Sequence, residues 1–251
     1  MSGEDAWLGM NSTIMKTLQC PLGATTFSQA ECKRLIKPVH SAVLPKMRLS
    51  RKFPLDLRYG SKDFFGLGME DLFITQGCEK LAFFLEERNG SSLSSYFVRS
   101  NYEWALMHIG IGNQELFQLN YEKLGCLLPR VWIKSLWEFA HTFKLHLPSG
   151  SCDLKLLRLG DEYLMQRFTD FGYRKQQLVK LNRCRVYLQV VSLADVTDGS
   201  GDRMCDMVFN GQRNFSRKSR YLWPEQTSPN ANHWRLWRQA IKKKIVTTKD
   251  T

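Results

Sequence analysis

Apolar residues recur at spacings of three and four through most of this chain, and strictly alternating runs are missing. That pattern predicts a mainly α protein, an irregular multi-helix bundle with little or no sheet and six to nine helices. The first segment, 5–19, places Trp7, Leu8, Ile14, Met15 and Leu18 at amphipathic spacing, and Pro21 and Gly23 break it. Ser28 and Glu31 stand as a capping box, so a helix starts at Gln29, with Phe27 and Cys32 where a hydrophobic staple would sit. Leu35, Ile36, Val39 and Val43 form its apolar stripe. Pro38 falls inside that stripe and is expected to kink or split the helix, and Pro45 to end it.

Further on, Gly66-Leu67-Gly68 opens a helix read as Met69 to Arg88, with Glu70 and Asp71 in its first turn. A helix from Leu93 to about His108 follows, stopped by Gly110 and Gly112, and Gln114 to Asn120 reads as irregular or a short strand. Pro129 suits the first turn of a helix reaching about Leu145, whose Val131, Trp132, Leu136, Phe139, Ala140 and Phe143 read as core. Asp161 to Phe171, Arg174 to Ala194 and Asn232 to about Val246 complete the set. In the second of these, Leu178, Leu181, Cys184, Leu188 and Val191 form the inward stripe, with Lys175, Lys180, Arg183 and Arg185 read as outside it. The last carries Trp234, Trp237, Ile241 and Ile245 on one side and Arg235, Arg238 and Lys242 to Lys244 on the rest.

Charge divides the chain more sharply than hydropathy does. Residues 21–62 carry nine Lys or Arg against Glu31 and Asp56, a net +7; residues 63–150 sum to −3 and 151–251 to +9, within a total of +12 over 251 residues. The expected organisation is a basic helical segment at 1–62, a helical middle at 63–147 and a basic helical region at 148–251, with Pro148-Ser149-Gly150-Ser151 as the clearest boundary. Basic blocks of this density point to a polyanionic partner. The candidate phosphate-gripping residues are Lys33, Arg34, Lys37, Arg48, Arg51 and Lys52 in the first block, and Arg183, Arg217, Lys218, Arg220, Arg238 and Lys242 in the second. The bland alternative for every one of them is a solvated face. For the terminal helix, packing by its tryptophans, phosphate contact and an anionic membrane surface remain as three readings.

Enzyme chemistry finds little to hold on to. Seven scattered cysteines with no C-x-x-C pair suit reduced thiols in an intracellular protein, and supply no structural zinc spacing. His141 and His146 lie on different sides of a helix. Gly66-Leu67-Gly68 is no dinucleotide fingerprint, since Asp71 stands at the third glycine position, and Asp195 to Asp202 does not fit an EF-hand loop. No catalytic or metal residue and no cofactor is assigned. No apolar run is long enough to span a membrane, and Glu4 and Asp5 stand where a secretory leader would be basic.

The ordered set Cys32, Leu44-Pro45-Lys46, Arg51, Phe53-Pro54 and Gly66-Leu67-Gly68 resembles the segment downstream of the polymerase palm in reverse-transcriptase-like proteins of non-LTR retroelements. The stretches LVKLNRCRVYLQVVSLADVTDGSG and HWRLWRQAI resemble later parts of the same region. The resemblance implies the thumb and post-polymerase part of such a protein without its fingers and palm. That palm uses paired carboxylates to clamp two metal ions, and no Asp-Asp dipeptide occurs in this chain. The implied role is catalytically inactive, non-specific binding of an RNA or DNA backbone. The alternatives are an assembly module docking by tryptophan-rich helices on a polymerase palm or on a second copy, and a decayed reading frame. Exposure of Trp132, Trp137, Trp234 and Trp237 separates docking from nucleic-acid binding.

Overall fold

The structure, a computed structural model, describes residues 2–112, 114–147, 156, 158–198, 203–213, 223–224 and 226–247, the last four as backbone alone. Among them the protein is mainly helical, and its extended pairing is confined to two isolated antiparallel bridges, Tyr163 with Ser192 and Thr197 with Met204. The chain forms two compact units: Met1–Ser95 with Arg130–Lys144, and Tyr96–Pro129 with Leu145–Thr251.

The first unit begins with α1 (Gly3–Gly9), a π-helical stretch (Met10–Met15) and α2 (Lys16–Gln19) in unbroken succession. Ser2 caps α1 through a capping box with Asp5. Ala6, Met10 and Met15 are buried, while Leu8 and Ile14 are exposed. α3 (Gln29–Lys46) starts on the expected Ser28–Glu31 box. It runs through Pro38 without splitting and includes Pro45. Pro38 and Arg34 both lie on the exposed face, so water can reach the Arg34 carbonyl that proline leaves without a donor. The buried row is Cys32, Ile36, His40, Val43 and Leu44, and Leu35 of the expected stripe is 40% exposed.

α4 (Leu55–Tyr59) precedes α5 (Leu72–Glu87), which starts later than the glycine pair suggests. Asp71 is its N-cap, accepting from the amides of Phe73 at 2.8 Å and Ile74 at 3.2 Å. α5 packs on α3 and on α8 (Trp132–Thr142). Gly77 allows the α8 crossing, because a Cβ there would sit 2.1 Å from the Phe139 ring. Phe73, Phe139 and Phe143 form an aromatic cluster beside that crossing, with Phe139 and Phe143 at 4.8 Å between centroids. Arg130 brings the start of α8 back to the start of α3. It donates to the Thr26 carbonyl at 2.9 and 2.8 Å and pairs with Glu31.

α6 (Leu93–Ile109) leads into the second unit, followed by α7 (Tyr121–Leu124), α9 (Leu164–Asp170), α10 (Lys175–Leu188), α11 (Asp206–Phe209) and α12 (Ala231–Thr247). The 114–120 stretch holds a 3-10 turn, Leu116–Gln118, rather than a strand. α10 is the central element, packing on α9 and α12 through Leu178, Leu181, Cys184 and Leu188. Trp237, Ala240 and Ile241 are the buried face of α12, and Trp237 meets Phe168 of α9 edge-on at 6.1 Å. The side chains of Lys244 and Ile245 lie outside the described residues.

Candidate nucleic-acid interface

All six candidates of the first block are exposed. Lys33, Arg34 and Lys37 line the face of α3 opposite its buried row. Arg48, Arg51 and Lys52 follow on a loop whose backbone is bonded at several points. Arg48 ends α3 in the left-handed region at φ 62°, its amide bonded to the Pro45 carbonyl at 3.0 Å. The Leu49 amide returns to the Leu44 carbonyl at 2.9 Å, and the Lys52 amide is held by Ser50 Oγ at 3.1 Å. Arg58 then ties the loop to α4, its Nη2 donating to the Phe53 carbonyl at 2.6 Å and to the Arg51 carbonyl at 3.5 Å. Its other terminal nitrogen lies 3.5 Å from His40 Nδ1. Burial first, and the Arg58 charge second, push the His40 pKa down to about 4. The imidazole is therefore neutral near pH 7 and can accept from the guanidinium.

A second support lies across the glycines. The amides of Leu67, Gly68 and Met69 return to the carbonyls of Leu57, Gly60 and Arg58 at 2.8–3.0 Å. A Cβ on Gly66 would lie 2.1 Å from the Gly60 carbonyl oxygen, so only glycine allows this approach. Gly68 itself has φ 62°, the tight turn expected of the pair. The segment 48–68 is thus a pinned platform. Its free cations are Arg48, Arg51 and Lys52, none of which enters an ion pair among the described residues. Arg58 is turned inward as a structural tie.

The second block is less uniform. Arg183 is exposed on α10 and lines an open cavity of about 670 Å³ with Trp104, His108 and Asn182. Trp104 and His108 stack there at 5.0 Å with 16° between planes. Burial and the Arg185 charge bring the His108 pKa down to about 4, so this imidazole too is neutral near pH 7. Burial first, and then the charges of Arg183 and Lys180, lower the pKa of His233 at the start of α12. Arg238 is half-buried, and the Lys242 ammonium lies over the Phe209 ring at 5.4 Å. Arg217, Lys218 and Arg220 lie outside the described residues.

Arg185 overturns its reading as an outward cation, for it is fully buried. Its position is i+7 from Leu178 and i+4 from Leu181, which places it on the inward stripe. Nη2 donates to the carbonyls of Met107 and His108, both at 2.7 Å, and Nε to Asn182 Oδ1 at 2.8 Å. Burial pulls its pKa down to about 9, against the opposing pull of Asp195. The helical spacing was the signal that could have placed it inside.

Two further features escaped the sequence. Lys80 is buried on α5 and bonded to the Ser135 hydroxyl, and burial brings its pKa down to about 8. Phe64 and Phe65 are 81% and 94% exposed at the tip of the platform. The four tryptophans do not form a solvent-facing patch: Trp137 and Trp237 are fully buried, and Trp132 and Trp234 are half-buried. No group of metal-binding side chains occurs among the described residues, and no helix among them is long and apolar enough to cross a membrane. The described cysteines, which exclude Cys152, form no disulfide among themselves. Compared with protein-family models, curated proteins and solved structures, the chain matches none.

Proposed function

We propose that this chain binds the RNA or DNA backbone without sequence preference, as a catalytically inactive piece like the thumb and post-polymerase region of a reverse-transcriptase-like protein. One observation carries the reading. The six cations of the first block are all exposed along one continuous segment, and the loop half of that segment is immobilised by Arg58 and the Gly60–Gly66 approach. Preorganised cations lose less freedom on meeting phosphates than cations on a mobile tail. Each phosphate contact releases counterions, which makes binding fall steeply with salt. Arg183, Arg238 and Lys242 add to it from the second unit, Arg183 most directly because it stands at a cavity rim.

The test is fluorescence anisotropy of a labelled RNA–DNA hybrid hairpin at low and moderate salt. Micromolar binding that weakens strongly with salt, and is lost in Arg51→Glu/Lys52→Glu, is the expected result. No binding at low salt overturns the reading. Docking on a polymerase palm or on a second copy is the competing function. Burial of Trp137 and Trp237 removes the surface on which that alternative was first based.

A further inference from the structure

We infer that Phe64 and Phe65 are a stacking platform for unpaired bases, so that the first unit prefers single-stranded nucleic acid to duplex. This rests on the backbone-binding reading and adds to it a chemical distinction that phosphate contacts cannot make.

The two rings are unusual in three respects. They are adjacent in sequence and almost wholly in water, whereas single exposed apolar residues need no explanation. They are also held there. Lys62–Phe64 is a 3-10 turn capped by Ser61, and Phe65 follows at φ 60°, a left-handed conformation that a bulky residue rarely adopts. The Gly66 amide closes the turn on the Ser61 carbonyl at 2.9 Å, and the next three amides return to 57–60. A loop free to relax would turn these rings inward, and this one is fastened at both ends. The local charge also favours one class of partner. The turn belongs to the same bonded segment as Arg51 and Lys52, its amides returning to 57–61 and Arg58 reaching the Arg51 carbonyl, and Lys62 at its start is exposed, with its ammonium over the Trp7 ring at 5.6 Å. Across residues 48–68, Arg48, Arg51, Lys52, Arg58 and Lys62 stand against Asp56 and Asp63, a net +3.

Exposed aromatic faces on a cationic segment match the needs of a single strand. Bases stack on rings without regard to sequence, and the phosphates between them are neutralised by Lys and Arg. A protein partner would take up the rings equally well but gives no reason for a net-positive segment beneath them. A duplex offers the cations phosphates but keeps its base faces covered, so the rings add nothing to its binding. The occupant that uses both features is a single strand.

The experiment compares a labelled oligothymidine with a duplex of equal length, at two salt concentrations, for the full chain and for Phe64→Ala/Phe65→Ala. Both side chains are exposed, so the double variant should keep its stability, and Phe64→Trp/Phe65→Trp restores the rings if stacking is what matters. The expected result is a single-strand preference in the parent chain. The alanine variant should lose about tenfold or more of single-strand affinity, with duplex affinity and salt slope unchanged, and the tryptophan variant should recover it. Equal binding of both nucleic acids, unaffected by the alanines, overturns this inference and leaves backbone binding standing. No binding of either form overturns both. Loss of pelleting with anionic vesicles, in place of any loss of single-strand binding, assigns the rings to a lipid surface and overturns the inference as well.

Discussion

Arg51 and Arg185 both come from basic stretches and do opposite work. In the first unit, Arg58 turns inward and spends its donors on the carbonyls of Phe53 and Arg51, and so fixes a loop on which Arg51 and Lys52 stay in water. In the second unit, the inward arginine is Arg185, which closes the end of α6 through the carbonyls of Met107 and His108 while Arg183 stays outside. Each region therefore uses one arginine as an internal tie, and the neighbouring cations remain available. Density of charge alone does not distinguish the two roles. Carbonyl groups left over at a turn or a helix end do, because a guanidinium can satisfy several of them at once.

The sharpest way to break this comparison is to remove the buried tie. Arg185→Ala should cost about 3 kcal/mol or more, since it orphans several buried carbonyls and opens a cavity. Arg183→Ala should stay within about 0.5 kcal/mol. Urea unfolding of both variants checks the contrast, and equal effects would end it. Next in size is the platform itself. Gly66→Ala forces a Cβ against the Gly60 carbonyl, and a cost of about 1–3 kcal/mol should come with weaker nucleic-acid binding, because the loop is displaced while every cation is retained.

The combined change Arg48→Ala/Arg51→Ala/Lys52→Ala sharpens the same point from the other side. The salt slope of binding should fall by about 2–3, with little change in thermal midpoint. An unchanged slope would mean that these exposed cations touch no phosphate. The smallest effect concerns pH. Arg130, together with the Ser28 cap, holds the Glu31 pKa at about 2, below the ordinary 4.5 of a glutamate. The stability contributed by this carboxylate is complete above about pH 4.5 and is lost as pH falls through 2. Acid titration of Arg130→Met should show a smaller loss over that interval than the parent chain shows.

The helical character was legible because it is local. The Ser28–Glu31 box, the stripe of α10 and the tryptophan face of α12 all follow from spacing. α3 is not split at Pro38, because the proline lies on the face that meets water, and the sequence does not say which face that is. Asp71 was placed in the first turn of its helix although it is the cap, a shift that depends on the backbone turning at Gly68. Arg130–Lys144 groups with the first ninety-five residues, where Arg130 reaches Thr26 and Trp132 donates to the Gly23 carbonyl. Neither contact leaves a mark on composition. The candidate cations of α3 and its following loop were recognisable from charge. The rings at 64–65 were not, because an aromatic pair reads as core until the turn beneath it is known.

Where Phe139 lies against the bare backbone at Gly77, the α5–α8 contact has mechanical as well as energetic meaning. Moving α8 one turn along α5 would bring that ring onto Phe73 or Leu81, both of which carry side chains where Gly77 carries none. The crossing therefore works as a detent with a single seat. The two helices can separate, but they cannot slide past each other by a turn and stay packed, so the first unit should answer a load by opening at this contact rather than by shear.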